Sequence, residues 1–391
     1  MIPYCQHQIR DEDREAVSRV LDSPRLTQGP AVAGFEAALR SRTASRHAVA
    51  CSSGTSALQI ALQALGVGPG DEVIVPSLSF LATANAVLLC GARPVFADVE
   101  PDGLSIDPAD VARRVTTHTR GVIPMHYAGH PASVAACRDA VGPDRFVLED
   151  ACHALGAEVE GQPVGSPGDA ACFSFAPGEA RDDGEGRRRR HEPEDLATTC
   201  LRLREHGMVR EPSAFRGLGC LRIASRRNGA AGSTRCTRSR ATIDRPDLGA
   251  ALGESQLARL DDILATRRAL AARYDRLLAG EKRVRPLPER PGTRSAWHLY
   301  PVRLEIEAIR GGRAAVHARL HEAGIGVQVH YVPIHLQPFH RERLGTRFGD
   351  LPRSEDAYLR LLSLPLFPGL SDDDQERVVE VLCQAIRECG G

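Results

Sequence analysis

The sequence predicts an α/β protein: a large domain built on a mostly parallel sheet covered by helices, then a smaller C-terminal α+β domain. Three observations predict it. From His47 to Asp150, short apolar runs alternate with helical patterns in the order β-α-β-α-β. Three of those runs close on a polar residue, Asp98, His126 and Asp150, and since ligands bind at the carboxyl ends of such strands, Asp150 and His153 are expected to face a site. From about residue 270 the pattern becomes that of a second, smaller unit. The chain has 391 residues, enough for two domains. The boundary is expected at 265/266, giving a large domain with an N-terminal arm at 1–265 and a small domain at 266–391.

Residues 9–22 and 31–44 have helical spacing, separated by the turn Leu26-Thr27-Gln28-Gly29-Pro30. His47–Ala50 is a short strand. The small-residue turn Cys51-Ser52-Ser53-Gly54-Thr55-Ser56 then opens an apolar-periodic helix. Such a turn leaves free N–H groups at the positive end of a helix, a place for a phosphate, although an ordinary Ser N-cap also explains it. Val73-Ile74-Val75 is a buried strand, and Phe80 sits in the loop after it. LATANAVLLCGA is a helix, RPVFADV a strand, VARRVTTHT a helix and RGVIPMHYAG a strand. Phe146-Val147-Leu148 leads to Asp150, and ACFSF is a further buried strand carrying Ser174. ATTCLRLREHGM is helical. LGAALGESQLARLDDILATRRALAARYDRLLAG is expected to be one long amphipathic helix. WHLYPVRLEI is a strand, RAAVHARLHEAG a helix and IGVQVHYVP a strand. No G-x-G-x-x-G follows any strand, so a dinucleotide-binding domain is poorly supported.

Composition removes several classes. Lys+Arg and Asp+Glu are 50 each, so the formal net charge is zero. Nothing global favours nucleic acid or an anionic membrane as partner. No apolar run is long enough for a transmembrane helix, and the polar, acidic start is unlike a signal peptide, so a cytoplasmic protein is expected. The 11 cysteines show no metal-ligand spacing and read as reduced core thiols. Lys282 is the only lysine in the chain.

The chain resembles the DegT-type sugar aminotransferases, pyridoxal-phosphate enzymes of fold type I (aspartate aminotransferase-like). The resemblance rests on LTQGP, SSGTSAL, GPGDEVIVPSLSFLATANAV, GARPVFADVEPD, LEDACHALGA, CFSF, REHGM, AALGESQLARLD, HYVPIHLQPF and LSLPLFPGL, which cover nearly the whole chain in order. MIPYCQHQI, HYAGHPA, SAWHLYPVRL and GIGVQVHYVPIHLQP are similar to one branch, the UDP-4-amino-4,6-dideoxy-N-acetyl-β-L-altrosamine transaminases of pseudaminic acid synthesis. The resemblance implies pyridoxal 5′-phosphate and pyridoxamine 5′-phosphate as cofactor forms. It also implies glutamate as amino donor, a nucleotide-linked 4-keto-6-deoxy sugar as acceptor, and a homodimer. It implies that Gly54 and Thr55 hold the phosphate, with Ser174 adding a contact. Phe80 would stack on the pyridine ring, Asp150 pair with its nitrogen, and His153 lie near its 3′-oxygen. His330, Tyr331 and His335 match a segment near the substrate, although a structural strand end explains them equally. His126 and Tyr127 are read as structural.

The sequence departs from the family at one decisive place. After CFSF the family continues H-P-x-K, and that lysine binds the cofactor covalently and moves the reacting proton. Here Ala176-Pro177-Gly178-Glu179 puts a carboxylate at the lysine position. Read from the second nucleotide of each codon, the stretch from Ala176 to Arg188 is compatible with H-P-V-K-x-x-T-T-G-x-G-G. A GAA codon for Glu179 followed by G gives AAG, lysine. Residues 213–245 also lose periodicity, and in the other shifted frame Arg235–Ser239 is compatible with V-Y-E-V-Q. Two compensated frameshifts, in 176–191 and 213–245, account for both anomalies. The alternatives are a lysine-less protein that binds the cofactor without catalysis, or a pyridoxamine-phosphate-dependent sugar dehydratase. The run Arg187–Arg190 lacks interleaved aromatics and is not read as a nucleic-acid site.

Overall fold

The computed structural model describes residues 1–27, 29–174, 179–182, 193–204, 208–209, 235–236 and 246–390; within 175–195 and 205–245 it describes backbone alone. Helices α1 (Asp11–Leu21) and α2 (Pro30–Thr43) precede β1 (His47–Ala50) and α3 (Gly54–Ala64). Then come β2 (Glu72–Pro76), α4 (Leu81–Leu89), β3 (Arg93–Ala97), α5 (Pro108–Arg114), β4 (Thr119–Val122), α6 (Val134–Val141) and β5 (Phe146–Asp150). A small hairpin, β6 (Glu158–Val159) and β7 (Gln162–Pro163), leads to β8 (Ala170–Phe173) and β9 (Glu179–Asp182).

The main sheet has seven strands in the order β1-β9-β8-β5-β4-β2-β3. Strand β9 runs antiparallel to both neighbours, and the other pairings are parallel. Val73, Ile74 and Val75 are fully buried, as strands covered by helices on both faces require. On one face, Leu58, Ile60 and Leu62 of α3 pack with Ala84, Ala86 and Val87 of α4. Each such leucine or isoleucine contributes about 1.5–3 kcal/mol by leaving water. On the other face, Val111 of α5 and Cys137 of α6 cover Ile74, Val122 and Val147.

Beyond the sheet lie α7 (Pro193–Arg204), the pair β10 (Met208–Val209) and β11 (Arg235–Cys236), α8 (Asp247–Ala258) and α9 (Leu260–Leu278). The small unit holds β12 (Val284–Pro286), β13 (Thr293–Arg294, paired with β6) and β14 (Tyr300–Leu304). It continues with α10 (Gly312–Glu322), α11 (Pro338–Leu344), α12 (Pro352–Arg360), β15 (Leu361–Leu364) and α13 (Asp372–Cys389). Its sheet is antiparallel, β12-β14-β15. Its core runs from Leu270 to Ile386 and includes Ile2, which bridges to Ile325. The arm therefore joins the small unit, and α9 crosses residue 265 without interruption.

Three expectations about elements are corrected. The single helix expected from Leu248 is two helices, broken at Arg259 (φ −113°, ψ 18°). Arg259 donates there to the Gln8 carbonyl (3.0 Å) and to the buried Asp13 of α1. IGVQVHYVP forms only isolated bridges, Ile325 to Ile2 and Gln328 to Ser363, because the arm occupies one side of it. The strand expected to end at His126 stops at Val122, and the chain turns at Tyr127–Gly129. Among the described residues, no helix is long and apolar enough to cross a membrane.

Candidate active site

The site is built at the carboxyl ends of β1, β5 and β8. Helix α3 begins there with Ser53 as N-cap, whose Oγ accepts the Ser56 N–H at 3.2 Å. The N–H groups of Gly54 and Thr55 lie in the first turn, where no intrahelical partner exists, and the helix dipole favours an anion. A Cβ at Gly54 would lie 3.1 Å from Cys152 Sγ and 3.6 Å from Ser174 Cβ. Three chain segments thus converge on the helix N-terminus. Ser174 directly follows β8 rather than lying on it.

Asp150 ends β5 and is 3% exposed. Its carboxylate accepts from Thr83 Oγ1 at 2.7 Å and from the Cys152 N–H at 3.3 Å. Both donors are neutral, and no cation among the described residues pairs with it. A buried carboxylate without a cation is costly unless a ligand supplies one. His153 is 9% exposed. Its Nε2 lies 3.1 Å from the Tyr331 hydroxyl, while Nδ1 is buried with no partner. Burial, with His330 nearby, pushes its pKa down to about 3, so the ring is neutral. Phe80 caps α4, is 53% exposed, and lies 5.8 Å from the Tyr331 ring.

His330 meets Ser363 Oγ at 2.9 Å through Nδ1 and packs 5.3 Å from Tyr4. Tyr127 donates to the His330 carbonyl. His335 has no exposed surface. Its Nε2 meets the Glu355 carboxylate at 2.9 Å and its Nδ1 meets Ser77 Oγ at 2.6 Å, which leaves it a structural part that a substrate does not reach. His126 is also structural. Its Nδ1 accepts the Ala132 N–H, which leaves an Nε2–H to donate to the fully buried Glu149.

The backbone register brings residue 179 to the same end of the sheet. Glu179 pairs with Ala50 on one side and Phe173 on the other, and Asp150 pairs with Cys172. Residue 179 is thus two strands from Asp150, roughly 10 Å away by strand spacing. Its side chain and the rest of the anomalous segments, 176–191 and 213–245, lie outside the described residues, apart from the backbone of 179–182 and 235–236.

The sequence reading missed Thr83, Tyr4, His298 and Arg267. Thr83 sits in the first turn of α4, with nothing local to mark it. His298 follows the sole tryptophan, Trp297, and its ring stacks on His153 with centroids 4.2 Å apart and planes 12° apart.

Burial lowers the pKa of six histidines among the described residues, His130, His153, His298, His317, His330 and His340, and so gives the fold a pH dependence. Burial pushes His130 and His330 down to about 4 and His153 to about 3. Unfolded, each takes its proton near 6.5. Below that pH the unfolded state binds more protons, so stability falls as pH drops from about 6.5 toward 4. Glu281, held low by its bond from Arg283, acts only below about 4.5. The melting temperature is therefore expected to be lower at pH 5 than at pH 7; equal values would refute this account.

A seven-stranded sheet with one antiparallel strand, an open helix N-terminus, and a buried strand-end acid beside a neutral histidine define a pyridoxal-phosphate-dependent aminotransferase of fold type I. The buried Asp150 without a cation and the unpartnered His153 Nδ1 fit that cofactor. The chain belongs to the DegT/DnrJ/EryC1/StrS aminotransferase family, whose profile matches residues 7–383. It is 34% identical over 393 residues to the UDP-4-amino-4-deoxy-L-arabinose–oxoglutarate aminotransferase of Shewanella sediminis, covering 98% of each chain. Its fold matches that of the sugar aminotransferase Spr1654 of Streptococcus pneumoniae in the PMP form, with TM-score 0.90, 27% identity and full coverage of both chains. It also matches PseC of Helicobacter pylori, an aminotransferase of pseudaminic acid biosynthesis, with TM-score 0.86, 26% identity and 99% coverage of each chain.

Proposed function

We propose that this lineage transfers the amino group of glutamate to the keto carbon of a nucleotide-linked 4-keto-6-deoxy sugar, forming UDP-4-amino-4,6-dideoxy-N-acetyl-β-L-altrosamine. The observation that carries the reading is Asp150, a buried carboxylate with only neutral donors around it. The likeness to PseC supports the pseudaminic acid branch, and the Shewanella relative supports a nucleotide sugar as acceptor. The site works at the interface of a homodimer in the cytoplasm.

When bound, pyridoxal phosphate supplies an electron sink, and the amino form carries the nitrogen between donor and acceptor. Gly54 and Thr55 would hold the phosphate by backbone N–H groups, and Ser174 would add its hydroxyl. Asp150, its carboxylate fixed by Thr83, would keep the ring nitrogen protonated. His153, neutral and braced by Tyr331, would hold the ring oxygen, Phe80 would cover the ring, and His330 and Tyr331 would bound the sugar side.

Glu179 favours a second reading for the chain as written: a homologue that binds pyridoxamine phosphate without transferring its amino group. Both readings require the same cradle. Asp150→Asn, nearly isosteric but uncharged, is expected to weaken pyridoxamine phosphate binding by about tenfold or more. Titration calorimetry of the two proteins tests this, and equal affinities would remove Asp150 from the site.

A further inference from the structure

Helix α9 carries two adjacent arginines that hold the same connecting segment. Arg268 donates to the carbonyls of Ser295 and Gly156, both at 2.9 Å, with Glu158, Glu289 and Asp261 nearby. Arg267 donates from Nη1 to the carbonyls of Trp297 (2.9 Å) and His298 (3.0 Å). No carboxylate among the described residues pairs with Arg267. The weakly acidic groups that face it are Tyr4 and Cys5. Its Nε and Nη2 take no partner among the described residues. Burial pulls its pKa below the usual guanidinium value, yet arginine stays charged.

The segment it holds reaches the site by close backbone contact. Ala296 donates to the Gly129 carbonyl at 3.0 Å and His298 to that of Ala128 at 2.9 Å. A Cβ at Gly129 (φ +93°) would lie 2.8 Å from Trp297 N and 2.9 Å from His298 N, so only glycine fits. Trp297 has φ +47°, a strained value for a bulky side chain, of the kind found where structure is held for function. The result is His298 stacked on His153, an exposed residue whose own carbonyl is held by Arg267.

We propose that Arg267, with His298 and Tyr4 beside it, forms an oxyanion subsite at the edge of the cofactor site that takes a carboxylate or phosphate group of a substrate. This rests on the reading of His153 as a neighbour of the cofactor. A guanidinium whose Nη1 is fixed by two carbonyls presents its remaining N–H groups in a set plane, suited to an oxyanion. The amino donor would bring a carboxylate, and the nucleotide sugar a pyrophosphate.

The test is calorimetric titration of the full chain, with and without pyridoxamine phosphate, using 2-oxoglutarate and UDP as separate probes. Arg267→Gln is expected to weaken one probe by about tenfold or more, while Arg267→Lys retains most of the affinity. Loss in the 2-oxoglutarate arm identifies a carboxylate subsite, and loss in the UDP arm a pyrophosphate subsite. Arg268→Gln, which gives up comparable carbonyl bonds, is expected to leave both probes unchanged. The proposal is overturned if wild type binds neither probe, if Arg267→Gln binds both as wild type does, or if Arg268→Gln loses as much. Failure to bind pyridoxamine phosphate would instead remove the cofactor reading, and the arms run without cofactor would still report on Arg267.

Discussion

The chain as written is expected to transfer amino groups at least about 10⁴-fold more slowly than a version with residues 176–191 replaced by the H-P-x-K reading and lysine at 179. The reason is chemical. A carboxylate cannot condense with a carbonyl, and it is a far weaker base than an amine. The only lysine, Lys282, lies between α9 and β12, remote in sequence from the motif. The backbone of residue 179 pairs with Ala50 and Phe173 at the Asp150 end of the sheet. The check is the rate of 2-oxoglutarate release from glutamate in the presence of the 4-keto sugar nucleotide. Intact mass after borohydride treatment with pyridoxal phosphate should show a retained cofactor in the lysine version alone. Comparable rates from both chains would mean that residue 179 does not occupy the lysine's place. Resequencing the gene across codons 176–191 and 213–245 decides which version the cell makes.

Replacing Glu149 by alanine is expected to cost on the order of 3–5 kcal/mol of stability. Glu149 is fully buried next to Asp150. It accepts from His126 Nε2 at 2.9 Å, Gly165 N at 3.0 Å and Gly168 N at 2.7 Å. Truncation leaves three buried donors without a partner and a void between β5 and the loop before β8. Urea unfolding of the two proteins measures the difference. A loss below about 1 kcal/mol would show that water replaces the carboxylate. Because the same strand carries Asp150, cofactor affinity should fall with it.

Much of the site was legible because its parts are local. The turn from Ser53 to Gly54 is read as a helix start that suits an anion within four residues, and the apolar Phe146–Leu148 run leads to Asp150. These features depend on hydrogen bonding and side-chain pattern over one or two turns. His335 shows where that reasoning ends. Its motif placed it near a substrate, yet Ser77 and Glu355, distant in sequence or in another element, take up both ring nitrogens. Arg259 is similar, since helix spacing continues through it, and only Asp13 and Gln8 draw the backbone aside.

The sequence by itself determined the α/β class, the order of strands and helices through Asp150, and the family. Periodicity and local capping encode these things. Only the tertiary structure decided that the arm from Ile2 joins the small unit, that α8 and α9 are separate, and that His298 lies on His153. Those arrangements join residues more than a hundred positions apart. Their energy comes from burial and from hydrogen bonds between backbones that meet only when the chain is folded.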